Sequence, residues 1–204
     1  MLKDRSAIQH HYNVGPTGSG KSHLAKKTAR AVRMAGYPVR VITAKANPEL
    51  RKAYGRTHPD VQEWRDIAGA DFITHDPLYL PNLFKQGRLK PCVVVFDEGA
   101  ADIGGNPDEA IKLMFRVCRD FGIMLIVCSQ NYTGVSPQIR NQCKKLHLFN
   151  CSKSDVGAVV NDYRFDDQSE STIRSATNLG VYEHLHIDTR HRIAEIVDKD
   201  GKAI

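Results

Sequence analysis

The sequence predicts an α/β fold in which a mostly parallel sheet carries helices on both sides. Three observations predict it. Residues 15–22 read GPTGSGKS, a glycine-rich loop between a possible strand and a helix start. Residues 92–96 (CVVVF) and 123–128 (IMLIVC) are apolar throughout, which suits strands covered by helices on both faces. Strand and helix patterns alternate as far as Phe149, the order of a parallel sheet built from crossover connections.

Taken in order, residues 8–14 form the strand that feeds the loop, although His10, His11 and Asn13 make it more polar than a central parallel strand usually is. A helix runs from Ser22 to about Ala35 with Leu24, Ala25, Ala29 and Val32 on one face, and Gly36 and Pro38 stop it. Residues 39–43 (VRVIT) are a strand, 48–54 a short helix, and 61–68 a helix whose Trp64 belongs to the core. A helix over 76–86 ends at Gly87 and leads into the 92–96 strand, with Asp97, Glu98 and Gly99 at its end. Asn106-Pro107-Asp108-Glu109 is a helix start, with Asn106 as the cap. The following helix buries Ala110, Leu113, Met114, Val117, Cys118 and Phe121, and carries a basic stripe of Lys112, Arg116 and Arg119 on another face. After the 123–128 strand come Ser129 and Gln130, a loop through Pro137, a short helix at Ile139-Arg140 and a strand over 146–149. Residues 155–163 and 170–177 are helical, and 181–187 with 191–197 make a C-terminal hairpin around Asp188-Thr189-Arg190. No repeat, low-complexity tract or composition break divides residues 1–204, so a single domain is expected.

Composition narrows the class. With 204 residues, 41% hydrophobic and 25% charged, the chain can bury one good core and is not disordered throughout. No apolar run is long enough to cross a bilayer, and residues 1–7 (MLKDRSA) lack the apolar core of a secretory signal, so a cytosolic setting without membrane insertion is expected. The five cysteines include no C-x-x-C pair and support neither zinc nor a disulfide framework. A net charge of +6 and a pI near 9.1 suit an anionic partner.

The chemistry lies at the expected strand ends. The loop Gly15-Pro16-Thr17-Gly18-Ser19-Gly20-Lys21-Ser22 fits G-x-x-x-x-G-K-[ST] at every specified position. Its glycines let backbone N–H groups turn inward around a polyphosphate, its lysine reaches the β and γ phosphates, and its serine ligates Mg²⁺. With His23 beside it, the loop is the expected nucleotide-binding segment for ATP. Ligands collect at the carboxyl ends of parallel strands, where Asp97 would hold Mg²⁺ and Glu98 would orient and deprotonate an attacking water. Gln130, at a third strand tip, would sense the water or γ-phosphate. Phosphoryl transfer gains about 10³–10⁵ in rate from an arginine supplied in cis or by a neighbour. Arg119 is the first candidate, then Arg116, then Arg140; an arginine acting in trans implies a ring. His184 and His186 share a strand face and are expected to be an exposed polar surface rather than a metal site. Lys144, Lys145, Arg190 and Arg192 are expected to be solvated charges.

Three stretches, FDEG at 96–99, RDFGIMLIVCSQNYTGVSPQIRNQC at 119–143 and ATNLGVYEHLHID at 176–188, resemble the genome-packaging ATPases of icosahedral viruses with an internal membrane and of nucleocytoplasmic large DNA viruses. These belong to the FtsK/HerA branch of the P-loop ATPases with an additional catalytic glutamate. The resemblance runs from Gly15 to about Asp188, with Asp120 standing where a histidine often follows the arginine. It implies a RecA-like (ASCE) three-layer sandwich, with Asp97 and Glu98 serving metal and water, Gln130 as sensor and an arginine near Arg119 as the finger. It further implies a homo-oligomeric ring, pentamer or hexamer, that translocates double-stranded DNA into a preformed capsid. The site of action would be the host cytoplasm or the packaging vertex, in contact with a capsid or vertex protein. Two rival readings are a phage morphogenesis or secretion ATPase and a nucleotide-gated DNA-loading switch; stimulation of turnover by long duplex DNA separates a motor from a switch.

Overall fold

The computed structural model describes residues 8–98, 103–163, 165–180 and 182–204. Gly99 and Val181, expected at a strand end and at the start of the hairpin, lie outside the described residues. Among the described residues eight strands form one sheet: β1 (His10–Val14), β2 (Val39–Thr43), β3 (Phe72–Thr74), β4 (Val93–Asp97), β5 (Met124–Ser129), β6 (Cys143–Leu148), β7 (His184–Asp188) and β8 (Ile193–Val197). Their order is β3-β2-β4-β5-β1-β6-β7-β8. The first six pair in parallel, and β6-β7-β8 is antiparallel. β5 therefore lies between the strand that feeds the glycine-rich loop and the strand that ends in Asp97.

The apolar runs behave as their composition requires. Alternate residues of a strand face opposite ways, so Val93 and Val95 pack with Ala25, Ala29 and Trp64 on one face of the sheet. Val94 and Phe96 pack with Leu80, Ile111 and Met114 on the other. The first face is covered by α1 (Lys21–Met34) and α3 (Pro59–Asp66), the second by α4 (Tyr79–Lys85) and α5 (Glu109–Val117). Other helices among the described residues are α2 (Pro48–Tyr54), α6 (Pro137–Arg140), α7 (Lys153–Asp162) and α8 (Asp167–Arg174). All five cysteines are buried free thiols.

Several boundaries differ from the sequence reading, each for a local reason. β3 was not expected: it is three residues long, on the sheet edge and only half-buried, too short to show a period. α5 starts two residues later than Asn106 implies, because Asp108 caps it by accepting the Ala110 N–H at 2.7 Å. Asn106 instead accepts from Lys112 Nζ at 2.8 Å. After Val117 the chain tightens into a 3₁₀ turn, Cys118–Phe121, which swings Phe121 out to 59% exposure against the edge of Phe84. Ile111 and Phe115 take the core places assigned to Phe121 and the half-buried Leu113 and Val117. β6 begins at Cys143, three residues before the expected strand.

The polar first strand is central, and its histidines are partnered, whereas Asn13 Oδ1 is buried without a hydrogen-bond partner among the described residues. His10 Nδ1 accepts the Leu125 N–H from β5 at 3.1 Å. His11 pairs with His147 of β6 at 3.2 Å, and Asn13 Nδ2 donates to the Lys21 carbonyl at 3.3 Å, tying the strand to the start of α1. His147 Nδ1 is 3.4 Å from His186 Nδ1, and the His147 and His184 rings lie 5.1 Å apart. The surface expected at His184 and His186 is therefore an interior histidine stack, with His184 buried. It forms because β6 and β7 bring His147 into register beside His186. Lys145 is likewise no free charge: it pairs with Asp188 at 2.8 Å.

Candidate nucleotide-binding site

The glycine-rich loop leaves β1 at its carboxyl end and folds tightly enough that only glycine fits at two places. A Cβ on Gly15 would lie 2.3 Å from the Phe149 carbonyl oxygen, and one on Gly20, at φ 109°, would lie 2.8 Å from the Tyr182 ring. The Ser19 N–H donates to the Pro16 carbonyl at 3.3 Å, and Ser19 Oγ is buried without a hydrogen-bond partner among the described residues. Lys21 is 8% exposed. Its ammonium folds back onto the Pro16 carbonyl at 2.9 Å, and burial pulls its pKa below the ordinary lysine value. A buried cation held by one carbonyl, beside an unpartnered hydroxyl, fits a loop built to receive an anion.

The strand tips converge on that loop. Ser22 Oγ, in the first turn of α1, donates to Asp97 Oδ1 at 3.1 Å. Trp64 Nε1 from α3 donates to Asp97 Oδ2 at 3.1 Å. Asp97 is 2% exposed, so its carboxylate is held from two sides. The adjacent hydroxyl and carboxylate oxygens are the hard donors that Mg²⁺ accepts alongside substrate phosphates. Among the described residues no group of three His, Cys, Asp or Glu is arranged to hold a metal ion by itself.

Glu98 follows with φ 73°, a left-handed conformation that costs a non-glycine residue about 1–3 kcal/mol and recurs at functional turns. Its carboxylate reaches Lys45 Nζ at 3.1 Å, and Lys45 also donates to Asp60 at 2.6 Å. Burial opposes the Lys45 charge, but Asp60, Asp97 and Glu98 outweigh it and raise the pKa above the ordinary lysine value. Lys26, at the cleft's floor, pairs with Glu63 and lies over the Trp64 ring. Lys21, Ser22, Lys45, Glu98, Gln130 and Tyr182 are among the residues lining a single cleft of about 410 Å³, as are Thr17, Gly18, Gly20 and His23.

Gln130 is exposed at the tip of β5, and the backbone beyond it is clamped. Tyr12 Oη donates to the carbonyls of Asn131 and Tyr132 at 3.0 and 2.7 Å. Tyr132 Oη donates to Asp162 at 2.7 Å, which also accepts from Arg140 Nε at 2.8 Å, and the Arg140 guanidinium lies over the Tyr132 ring at 4.7 Å. Arg140 is thus a buried brace for the loop after Gln130 and is not free to act as a finger. Arg116 and Arg119 are exposed, but they precede β5, whereas the loop and Gln130 lie at the strands' far ends. Six residues of β5 separate those edges by about 20 Å at roughly 3.3 Å per residue. Neither arginine reaches this cleft.

Sequence reasoning missed Lys45, Asp60 and the Asp97-binding role of Trp64. Lys45 carried one readable signal, its place just past the tip of β2; the other two arrive from α3 through the fold alone.

The sheet order, the loop after β1 and the helices on both faces define a three-layer P-loop NTPase fold. No protein-family model matches the sequence, and no curated protein matches it. Solved structures do. The genome packaging NTPase B204 of Sulfolobus turreted icosahedral virus 2, in complex with ATP-gammaS, superposes with a TM-score of 0.68 at 16% identity, over 96% of this chain and 98% of that one. The DNA-packaging ATPase B204 of Sulfolobus turreted icosahedral virus gives 0.66 at 16% identity, over 96% and 98%. VirB4 of Thermoanaerobacter pseudethanolicus gives 0.61 at 14% identity, over 95% and 90%. At these identities the likeness is one of fold, and it spans nearly the whole of both chains.

Proposed function

We propose that this chain is an ATP-hydrolysing motor subunit that moves double-stranded DNA, in the packaging of a viral genome into a preformed capsid. The observation that carries the reading is the meeting of Lys21, the Ser22–Asp97 pair, Glu98 and Gln130 at one cleft. The fold shared along its length with packaging NTPases supports the choice of task.

Lys21 would turn from the Pro16 carbonyl to the β and γ phosphates. Ser22 and Asp97 would hold Mg²⁺, whose charge offsets that of the phosphates when bound. Glu98, released from Lys45, would accept a proton from a water whose oxygen bonds to the γ-phosphorus as the β–γ bridging P–O bond breaks. Gln130 would hydrogen-bond that water or the γ-phosphate, and its clamped loop would carry the contact to α7. Arg119, or Arg116 one turn earlier, would enter the cleft of a neighbouring subunit, making the working form a ring of five or six that meets a capsid or vertex protein. No described helix is long and apolar enough to cross a membrane.

The test is ATP turnover of purified protein with and without long duplex DNA, beside Glu98→Gln. The variant should bind ATP with near-normal affinity and lose turnover by about 10²–10⁴-fold, the usual range for a general base. Retained turnover rejects Glu98 as the base. The second reading is a secretion-type ATPase; lack of stimulation by duplex DNA would favour it.

A further inference from the structure

Beside the phosphate loop lies an aromatic pair that the hydrolytic chemistry does not use. Tyr182 precedes β7 with φ 66°, and its side chain stays 44% exposed. Its ring rests on the backbone of Gly20, so close that no side chain fits there. The His23 ring stands edge-on to it at 5.7 Å and 64°. The segment is pinned from both ends: the Gly180 N–H donates to the Glu183 carboxylate at 2.8 Å, and the Glu183 N–H donates to the Gly180 carbonyl at 3.2 Å. Behind Gly20 lies Phe149, itself stacked on buried His184 at 4.7 Å and 22°. A large ring is thus held in an unfavourable backbone conformation with one side left to the cleft.

The direction of the bound chain of phosphates follows from the helix. Gly20 and His23 are three residues apart at the start of α1 and share a side, which Tyr182 covers. Ser22, one residue or about 100° away from His23, points instead to Asp97. The metal and hydrolytic end lies with Ser22, Asp97 and Glu98, so the other end of the triphosphate must leave past Gly20, His23 and Tyr182. We propose that Tyr182, with His23, is the platform on which the nucleobase of the substrate stacks.

This inference rests on the reading of residues 15–22 as a triphosphate loop. It adds a specificity: a π-face reads ring area rather than hydrogen-bonding edges, so ATP and GTP should bind alike and both more tightly than CTP or UTP.

The test compares ligands with and without a base. Calorimetric titration with Mg²⁺ present would follow ATP, CTP and inorganic tripolyphosphate binding to the wild-type chain, Tyr182→Ala, Tyr182→Phe and Lys21→Ala. Tyr182→Ala should weaken ATP roughly tenfold, within the range for one base–aromatic stack, while tripolyphosphate affinity stays unchanged. Tyr182→Phe should keep the wild-type preference for ATP over CTP. Equal weakening of ATP and tripolyphosphate would make Tyr182 a prop for the loop and overturn the proposal, as would ATP affinity unmoved by Tyr182→Ala. Tripolyphosphate binding that survives Lys21→Ala would instead overturn the underlying reading of the loop.

Discussion

The Asp97 carboxylate is engaged on both oxygens within the protein, by the Ser22 hydroxyl and by the Trp64 indole. The second contact gives the chain's only tryptophan a role beyond filling space, since it fixes the plane of the carboxylate that faces the phosphate loop. Loss of such an outer contact weakens metal affinity by about 10–100-fold. Trp64→Phe keeps an aromatic ring beside Ala25 and Ala29 but removes the donor. The Mg²⁺ concentration for half-maximal ATP turnover should then rise about tenfold or more. The melting midpoint should fall by only several degrees, because one unpartnered buried acceptor costs about 1–3 kcal/mol. A Mg²⁺ titration of turnover beside a melting curve checks both, and a packing role alone would move only the second. The contact was invisible in the sequence because residues 64 and 97 meet only after α3 docks on the sheet; Lys21, Ser22, Asp97 and Glu98 were legible because each belongs to a contiguous motif at a strand end.

At the scale of elements, the histidines on β1, β6 and β7 make the sheet's interior sensitive to acid. Burial pushes His10 down to about 4, helped by the Arg119 charge. Burial, then His186, Lys145 and His10, pushes His11 down to about 3. Burial is the main cause at His184 too, which falls to about 4 despite the nearby Asp198, with His186 and Lys27 adding to the drop. His147 is lowered for the same reason by burial and then by the surrounding histidines and Lys145, and His186 by burial and Lys145 against the pull of Glu195 and Asp188. These folded values lie below the unfolded value near 6.5, so between them the unfolded chain binds more protons and stability rises with pH. The contribution is complete above about pH 6.5 and is lost as pH falls toward 4, on the order of 1–2 kcal/mol each for His10, His11 and His184 by pH 5. Urea unfolding at pH 7.5 and pH 5 should show that loss, and His147→Leu should reduce the difference between the two. Equal midpoints at both pH values would contradict it. The same strands show how legibility depends on range. β4 and β5 declared themselves because both faces of each are buried in apolar side chains. β1 read as too polar for a central strand because the partners of His10 and His11 lie on β5 and β6, more than a hundred residues away. β3 gave no signal, being three half-buried residues whose pairing with β2 depends on the edge already being there.

For the whole molecule, the placement of the arginines bears on the proposed ring. The cleft opens at the carboxyl ends of the parallel strands, and Arg116 and Arg119 stand at the amino end of β5. The chain therefore presents the proposed phosphate site at one end of the sheet and exposed guanidinium groups at the other, and a head-to-tail assembly of copies would bring them together, closing into a ring if the rotation between neighbours permits. Arg119→Ala should leave ATP binding intact and reduce DNA-stimulated turnover by about 10³-fold or more, as loss of a finger does. Lys21→Ala should be inactive because its own cleft cannot hold the phosphates. Mixed together, the two variants should recover activity, because an intact cleft on the Arg119→Ala subunit meets an intact arginine on the Lys21→Ala subunit. Recovery should rise with the fraction of such neighbours and weaken steeply with salt, since duplex binding releases counterions in proportion to the phosphates contacted. Mixtures no more active than either variant alone, with rings confirmed by sizing, would exclude Arg119 as a group acting between subunits and leave Arg116 to be tried by the same complementation.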